Sequence, residues 1–358
     1  MTTLKALLDG LEIPIVQAPM LGACDAALAL AANRAGGLGS LPAAGLSPAE
    51  VGPAVDALRE ATDRPFVVNL LMAPKAEPAA EDLDDAIQTL RPWYAELGEP
   101  LPESPNQFAP NFEAQLEALT VAAPPIASFT FDILRREQVE ALQKAGVLVV
   151  GTANTVAEAR AWADVGADGI CAQGAEAGGH HGYFLADIED SLIGTLALVA
   201  TIRAAVNLPV IAAGGIMDGR GVAAALALGA DAAQMGTAFL LSDEATVSAP
   251  WKDALQSAGD DATRLTRAFT GRYARGLENR FMREMREGER DVPAYPVQNR
   301  LTQPLRAAAT RDGKAEMISL WAGQGAKLIE SGGAETLMRR WWDEARDAAR
   351  SLARRTKV

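Results

Sequence analysis

Eight short apolar runs, most of them separated by helical patterns, predict an α/β chain folded as a (β/α)8 barrel with a smaller, mainly helical cap. Three observations carry that prediction. The runs are continuous rather than alternating, as expected of parallel strands buried on both faces. The tripeptide Gly-Ala-Asp recurs directly after a helical pattern, at Gly166–Asp168 and Gly229–Asp231, which puts a glycine where a helix ends. Residues suited to ligand binding fall at the C-terminal ends of six of the runs, the face on which barrels carry their sites. A doubly wound open sheet is the alternative, but it more often has roughly five to seven strands.

The runs are Pro14–Met20, Gly37–Ala43, Phe66–Leu71, Ile126–Phe131, Val147–Ala153, Gly169–Gly174, Pro209–Gly215 and Ala232–Phe239. Helical patterns between them cover Ala26–Ala35, Pro48–Ala61, Leu134–Ala145, Val156–Val165, Leu196–Val206 and Gly219–Leu228. Two segments break the rhythm. Pro74–Asn111 is rich in Pro, Glu and Asp, with Trp93 and Tyr94 as its anchors, and Pro250–Gly325 clusters Arg, Glu and Gly with little strand character. Both are expected to build one helical cap over the barrel mouth. Ala334–Thr356 reads as a charged helix on the barrel exterior. The expected division is a barrel of residues 1–73 and 115–247, with 330–358 returning as an exterior helix, and a cap of residues 74–114 and 248–329.

Composition narrows the function. The 358 residues are 49% hydrophobic, enough for a large core. A net charge of −13 argues against nucleic acid or an anionic membrane as partner, though not against a local basic pocket for a small anion. No apolar stretch approaches the ~18 residues that suggest a spanning helix, and the N-terminus lacks the pattern of a signal or transit peptide. Two isolated cysteines, Cys24 and Cys171, make no disulfide framework, and Cys171 fits a strand as a small core residue. The expectation is a cytoplasmic, soluble monomer or homodimer acting on a small molecule, with no metal centre.

The chemistry concentrates in Ala172–Gly182, which holds both histidines of the chain, His180 and His181, on a glycine-rich loop after the sixth run. An imidazole titrates near neutrality, and the flanking glycines allow close backbone approach to a ligand. After the seventh run comes Ile211–Gly221, with Gly214 and Gly215; after the eighth comes Gln234-Met235-Gly236-Thr237. In barrels these two loops commonly hold a phosphate on bare N–H groups and a helix N-terminus. Gly219–Ala224 also matches a loose dinucleotide pattern, but it sits in the wrong turn for that role. A phosphate beside so few acid–base side chains suggests that a cofactor carries the harder chemistry. Pro19 and Met20 would then pack a flat ring, and the amides of Asn69 and Gln173 could meet its polar edge, or could be structural.

These residues resemble the nitronate monooxygenase family, flavin mononucleotide (FMN) enzymes on a TIM barrel formerly called 2-nitropropane dioxygenases. The resemblance rests on Gln17–Met20, Ala35–Gly39, Asn69, Ser128–Phe131, Gly151–Ala153, Gln173–His180, Ala212–Gly219 and Gln234–Thr237. It continues through Phe269–Arg272, Ala274–Gly276, Tyr295–Gln298 and Leu320–Gln324, and these later motifs favour the bacterial class I enzymes. It implies that Ala18, Pro19 and Met20 line the flavin ring, that Asn69, Gln173 and Gly178 touch the cofactor, and that Gly214, Gly215, Gln234, Met235, Gly236 and Thr237 hold its phosphate. It makes His180 the catalytic residue, with His181 as a solvent-side neighbour, and brings Tyr295 and Thr130 to the substrate. Thr130 stands where class members often carry a histidine, and Asp132 where a glycine is expected. The implied reaction is oxidative denitrification. Propionate 3-nitronate or an alkyl nitronate would give one electron to FMN, and O2 would complete conversion to a carbonyl compound and nitrite. A protonated His180 could orient the nitro group. An FMN-dependent NAD(P)H reductase, of the enoyl-acyl carrier protein or quinone type, shares the Gly-Gly-His loop and is the alternative.

Overall fold

Apolar runs with no polar alternation must bury both faces, and a closed parallel barrel wrapped by helices does so. The computed structural model, which describes residues 3–105 and 107–356, has this arrangement. Eight parallel strands, Ile15–Gln17, Gly39–Pro42, Phe66–Leu71, Ile126–Thr130, Leu148–Ala153, Gly169–Gln173, Val210–Ala213 and Ala232–Met235, pair in sequence order, and the eighth pairs with the first. The ring closes between the first and second through the Val16–Leu38 bridge, where Gln17 N donates to Leu38 O at 2.9 Å and Leu38 N to Ile15 O at 3.0 Å. Several strands end earlier than their apolar runs. The seventh stops at Ala213 because Gly214 and Gly215 turn to φ +113° and +71°.

The helices Ala26–Ala35, Pro48–Ala61, Val156–Val165 and Ala334–Thr356 span the residues the sequence assigns to them. Local chemistry sets their ends. The Asp25 carboxylate accepts Ala27 N at 2.8 Å, Thr155 Oγ1 accepts Glu158 N at 3.2 Å, and Gly36 and Gly166 end two helices in the left-handed conformation. The repeated Gly-Ala-Asp does a second job. The Asp168 carboxylate accepts Val149 N and that of Asp231 accepts Val210 N, both at 2.8 Å, so each aspartate docks its strand to a neighbour.

Two features differ from the sequence expectation, and a third explains a motif the sequence had set aside. A short helix, Leu4–Asp9, precedes the barrel, and Leu4 and Leu8 pack into its floor with Val16, Val67, Val150 and Ile211. Cys171 belongs to the same cluster, as a core residue should. The segment 250–325 is not free of strands: Thr263–Thr266 pairs antiparallel with Ala274–Leu277, which in turn pairs with Gly179–His180. Finally, Gly219–Ala224 owes its glycine to packing, since a Cβ at Gly219 would lie 2.2 Å from Trp341 O in the C-terminal helix.

Apolar residues of the two excursions form a cluster of their own. Within it, helix Ala80–Leu97 lies on helix Val297–Arg311. The Trp93 ring meets Phe281 at 4.7 Å and the Tyr94 hydroxyl donates to Leu301 O at 2.6 Å. No helix among the described residues is long and apolar enough to cross a membrane. The floor makes a direct prediction. Leu4→Ala should lower stability by about 2–5 kcal/mol through the cavity it leaves, measured by denaturant unfolding. A loss under a few tenths would mean the helix is not part of the core.

Candidate active site

A cavity of about 450 Å3 opens at the C-terminal ends of the barrel strands, beneath the cap. Its walls include Ala18, Pro19, Met20, Asn69, Thr130, Gln173, Gly178, His180, Gly214, Gly215, Gln234, Gly236, Thr237 and Tyr295. Separate loops and the cap thus bring the candidate residues to one chamber. Met235 is the exception: its side chain is fully buried in the main core and does not reach the cavity. Asp132, at the end of the fourth strand, is exposed, and its carboxylate accepts Ile133 N.

The loop that carries the histidines is tied at several points. Gln173 Nε2 donates to His180 O at 3.0 Å, and its Oε1 accepts Gly182 N at 2.8 Å. Gln173 therefore holds the loop through both ends of its amide while it lines the cavity, with one Nε2 hydrogen unused. The buried Glu158 carboxylate accepts Phe184 N at 2.7 Å just beyond. From the cap, Ala274 pairs with His180, and His181 N donates to Tyr273 O at 3.0 Å. Arg272 lies 4.3 Å from the centres of both the Phe131 and Tyr183 rings and donates through Nε to His181 O at 3.1 Å. Phe131 holds φ +93°, a strained conformation for a side chain of its size. Its ring sits edge-on to His180 and Tyr295, at 5.4 and 5.3 Å.

Of the two imidazoles, only His181 departs from expectation, which had it on the solvent side. His181 is fully buried, with both ring nitrogens lacking a hydrogen-bond partner. His180, half-buried, faces the cavity. Its Nε2 lies 2.8 Å from Thr270 Oγ1, and the Thr270 hydroxyl donates to Arg272 O at 3.0 Å. With that hydrogen committed, Thr270 can only accept from His180, so the proton sits on Nε2 and the Nδ1 lone pair is left free. Lost hydration beneath the cap, then the charges of Arg272 and Arg306, hold the His180 pKa down at about 3. Burial, followed by Arg275, holds His181 at about 4. Burial thus favours a neutral His180, whereas orienting a nitro group as a cation would need it protonated.

The opposite wall suits a phosphate. Gly236 has φ −113°, open to any residue, and a Cβ there would come no closer than 3.4 Å to protein, at Ala18. The protein itself does not require that glycine, so what its missing Cβ leaves is cavity space. Gly236 opens the short helical turn Thr237–Phe239, whose first N–H groups have no acceptor within the turn. Thr237 Oγ1 accepts Gly323 N at 2.9 Å, which frees the hydroxyl hydrogen to donate. The helix after the seventh strand is not available for this: Asp218 and Glu344 already cap its N-terminus. A flavin phosphate therefore fits the Gly215 loop and the Gly236–Thr237 turn, with Ala18–Met20 beside it.

A barrel mouth that joins glycine loops with free N–H groups, an apolar wall and an oriented imidazole has the parts that a phosphate-bearing redox cofactor needs. Comparison narrows the class. The family model described as nitronate monooxygenase matches residues 3–340, and the chain belongs to that family. A Staphylococcus aureus relative described as a probable nitronate monooxygenase is 37% identical over 92% of this chain and 93% of its own length. The structure of nitroalkane oxidase from Streptomyces ansochromogenes superposes with a TM-score of 0.89 at 42% identity, covering 97% of this chain and 99% of that one. FabK from Thermotoga maritima superposes with a TM-score of 0.75 at 29% identity over the whole of both chains. The chain is accordingly an oxidoreductase of a flavin-dependent family.

Sequence reasoning missed Thr270, Arg272 and Arg306. The first two lie in the quoted Phe269–Arg272 motif, which offered a place but no role; nothing in the sequence marked Arg306. The chemistry around the histidines makes three predictions. Carbon-13 NMR of histidine-labelled protein should show neither ring titrating between pH 5 and 8; a midpoint near 6.5 would contradict neutral burial. Both pKa values are depressed, so the unfolded chain binds more protons below its ordinary value of about 6.5. Stability should therefore fall as pH drops from about 6.5 towards 4. Thr270→Val should slow turnover roughly tenfold and scramble the His180 tautomer in the same spectra, and Thr270→Ser should restore both. An unchanged tautomer would remove Thr270 from its positioning role.

Proposed function

We propose that this protein binds FMN and oxidises nitronates with O2, releasing nitrite and a carbonyl compound. The observation that carries the proposal is His180: a neutral, tautomer-fixed imidazole facing a cavity that also presents a phosphate-sized turn. FMN, when bound, supplies one-electron oxidation and reaction with O2. The chain's own residues do the rest. Gly215, Gly236 and Thr237 anchor the phosphate, and Pro19 and Met20 pack the ring. His180 offers its free Nδ1, which can take a proton from solvent and so stabilise the nitronate anion. An incoming nitronate anion favours the imidazolium, so substrate binding raises the pKa that burial lowers. Phe131, Tyr295 and Trp321, with ring centres 5.4, 5.9 and 5.5 Å from His180, keep water from its ring. FMN is favoured over FAD because the Gly215 loop and the Gly236–Thr237 turn together suit one phosphate.

Two variants test this reading. His180→Ala should retain FMN and lower nitrite release from nitronate by on the order of 10²-fold. His181→Ala should act on the thermal midpoint instead, because it empties a buried site. Equal kinetic loss from both would make the loop, rather than one imidazole, the functional unit. Gly236→Val should yield a folded protein without flavin, read from its absorption spectrum and circular dichroism. Full flavin occupancy would refute the phosphate assignment.

A further inference from the structure

The interior of the barrel is less closely packed than the shell around it. Val67, Val150, Cys171 and Ile211 point inward from their strands and keep 5, 3, 5 and 3% of their surface. Their neighbours Val68, Val149, Ile170 and Val210, which face the helices, keep none. The difference is a small cavity of about 30 Å3 between the chamber and the floor helix Leu4–Asp9, which closes it with Leu4. Protein interiors tend to fill such gaps, because the atoms that line them lose contacts. Pro19, Asn69, Thr130, Thr152, Cys171 and Gln234 line both this cavity and the chamber, so the two share a wall. His180 and Tyr295 line the chamber alone.

The lining selects among occupants. The floor side is aliphatic, from Leu4 through Val67 and Val150 to Ile211. The shared wall carries polar atoms, but they serve one another. Asn69 Nδ2 donates to Ser128 O at 3.1 Å and to Ser128 Oγ at 3.0 Å, the Thr130 and Thr152 hydroxyls lie 2.9 Å apart, and Gln234 Nε2 reaches Cys171 Sγ at 3.5 Å. No polar side-chain atom of this lining is buried without a partner, whereas a held water needs two to four polar groups to bond. No charged residue among those described lines the cavity, so a nitronate or phosphate would meet no opposite charge there. The volume is roughly twice the ~10–15 Å3 that one water requires, which suits a diatomic and excludes an organic substrate. A small, neutral, apolar molecule answers all of these constraints.

We propose that this cavity is a binding site for dioxygen, held on the barrel side of the chamber while the substrate occupies the His180 side. The two reactants then need not compete for one space. The use made of O2 rests on the nitronate reading; the affinity of the cavity for O2 rests on its size and lining alone.

The test uses the FMN-loaded protein and O2 itself. Methyl relaxation is recorded by NMR on oxidised holoenzyme labelled at Ile, Leu and Val, under oxygen pressure and again under nitrogen. Paramagnetic O2 speeds relaxation where it dwells. The methyls of Val67, Ile126, Val150 and Ile211 should gain several-fold more than those of the equally buried Val55, Leu198 and Leu301. Val67→Ile adds one methylene, enough to take up most of a cavity this size. It should abolish the excess and slow, several-fold, the reoxidation of chemically reduced flavin, in which O2 takes two electrons and two protons to become hydrogen peroxide. FMN content and anaerobic reduction by a nitronate should stay at their wild-type values. Val150→Ile, which fills the cavity from another strand, should act alike and guards against a fault peculiar to one variant. Uniform relaxation across the buried methyls overturns the proposal without any variant. So does unchanged reoxidation in both filled variants, which would make O2 a visitor there and not a reactant. If nitronates fail to reduce the flavin while both O2 readouts follow the cavity, the nitronate reading fails and this site stands. If nitronates reduce it and neither O2 readout follows the cavity, only this proposal fails.

Discussion

The site depends on one backbone contact: the pairing of Gly179–His180 with Ala274–Arg275. It joins a loop of the barrel to a strand of the cap and fixes which way His180 points. Gly179 takes φ +73° beside it, so that its neighbour can leave the barrel and enter the small sheet. Once His180 is in register, its Nε2 meets Thr270 four residues along the same cap segment from Ala274, and Arg272 closes over the loop from between. The side chains that trim the loop from below, half-buried Gln173 and buried Glu158, bond to backbone N–H groups. Such bonds resist rearrangement because each broken one strands a desolvated group.

The same cap makes the chamber electrostatically unusual. It brings Arg272, Arg275 and Arg306 into a low-dielectric space, in a chain whose net charge is −13. Burial and those positive charges act together on the imidazoles, which stay neutral. Of the three arginines, only Arg306 lines the chamber itself. Rim ion pairs such as Arg280–Glu96 and Arg311–Glu99 tie cap elements together at partly exposed positions, where they add little stability.

Much of this was legible in the sequence, because its signals were local. Continuous apolar runs located all eight barrel strands, Gly166 ended a helix, and the glycine loops marked the mouth. What stayed hidden depends on contacts far along the chain. Helix Leu4–Asp9 has six residues, too few for a clear period, and matters only as a plug for the barrel floor. The cap strand Ala274–Leu277 contains Arg and Gly and is specified by its partners rather than by propensity. Adjacent histidines gave no hint of which one would be buried; strand pairing alternates their faces, and only the register decides. Arg306 looked like any helical arginine until the helix was placed on the chamber.

The central claim is that nitronates, not nicotinamides, deliver electrons to the cofactor in this chamber. Anaerobic mixing of the purified holoenzyme with a nitronate, and separately with NADH and NADPH, tests it most directly through the visible absorption of the flavin. The account predicts a rapid spectral change with the nitronate, and a spectrum that persists with either nicotinamide. Rapid bleaching by NADH or NADPH, with no response to the nitronate, would contradict it and place the protein among the reductases.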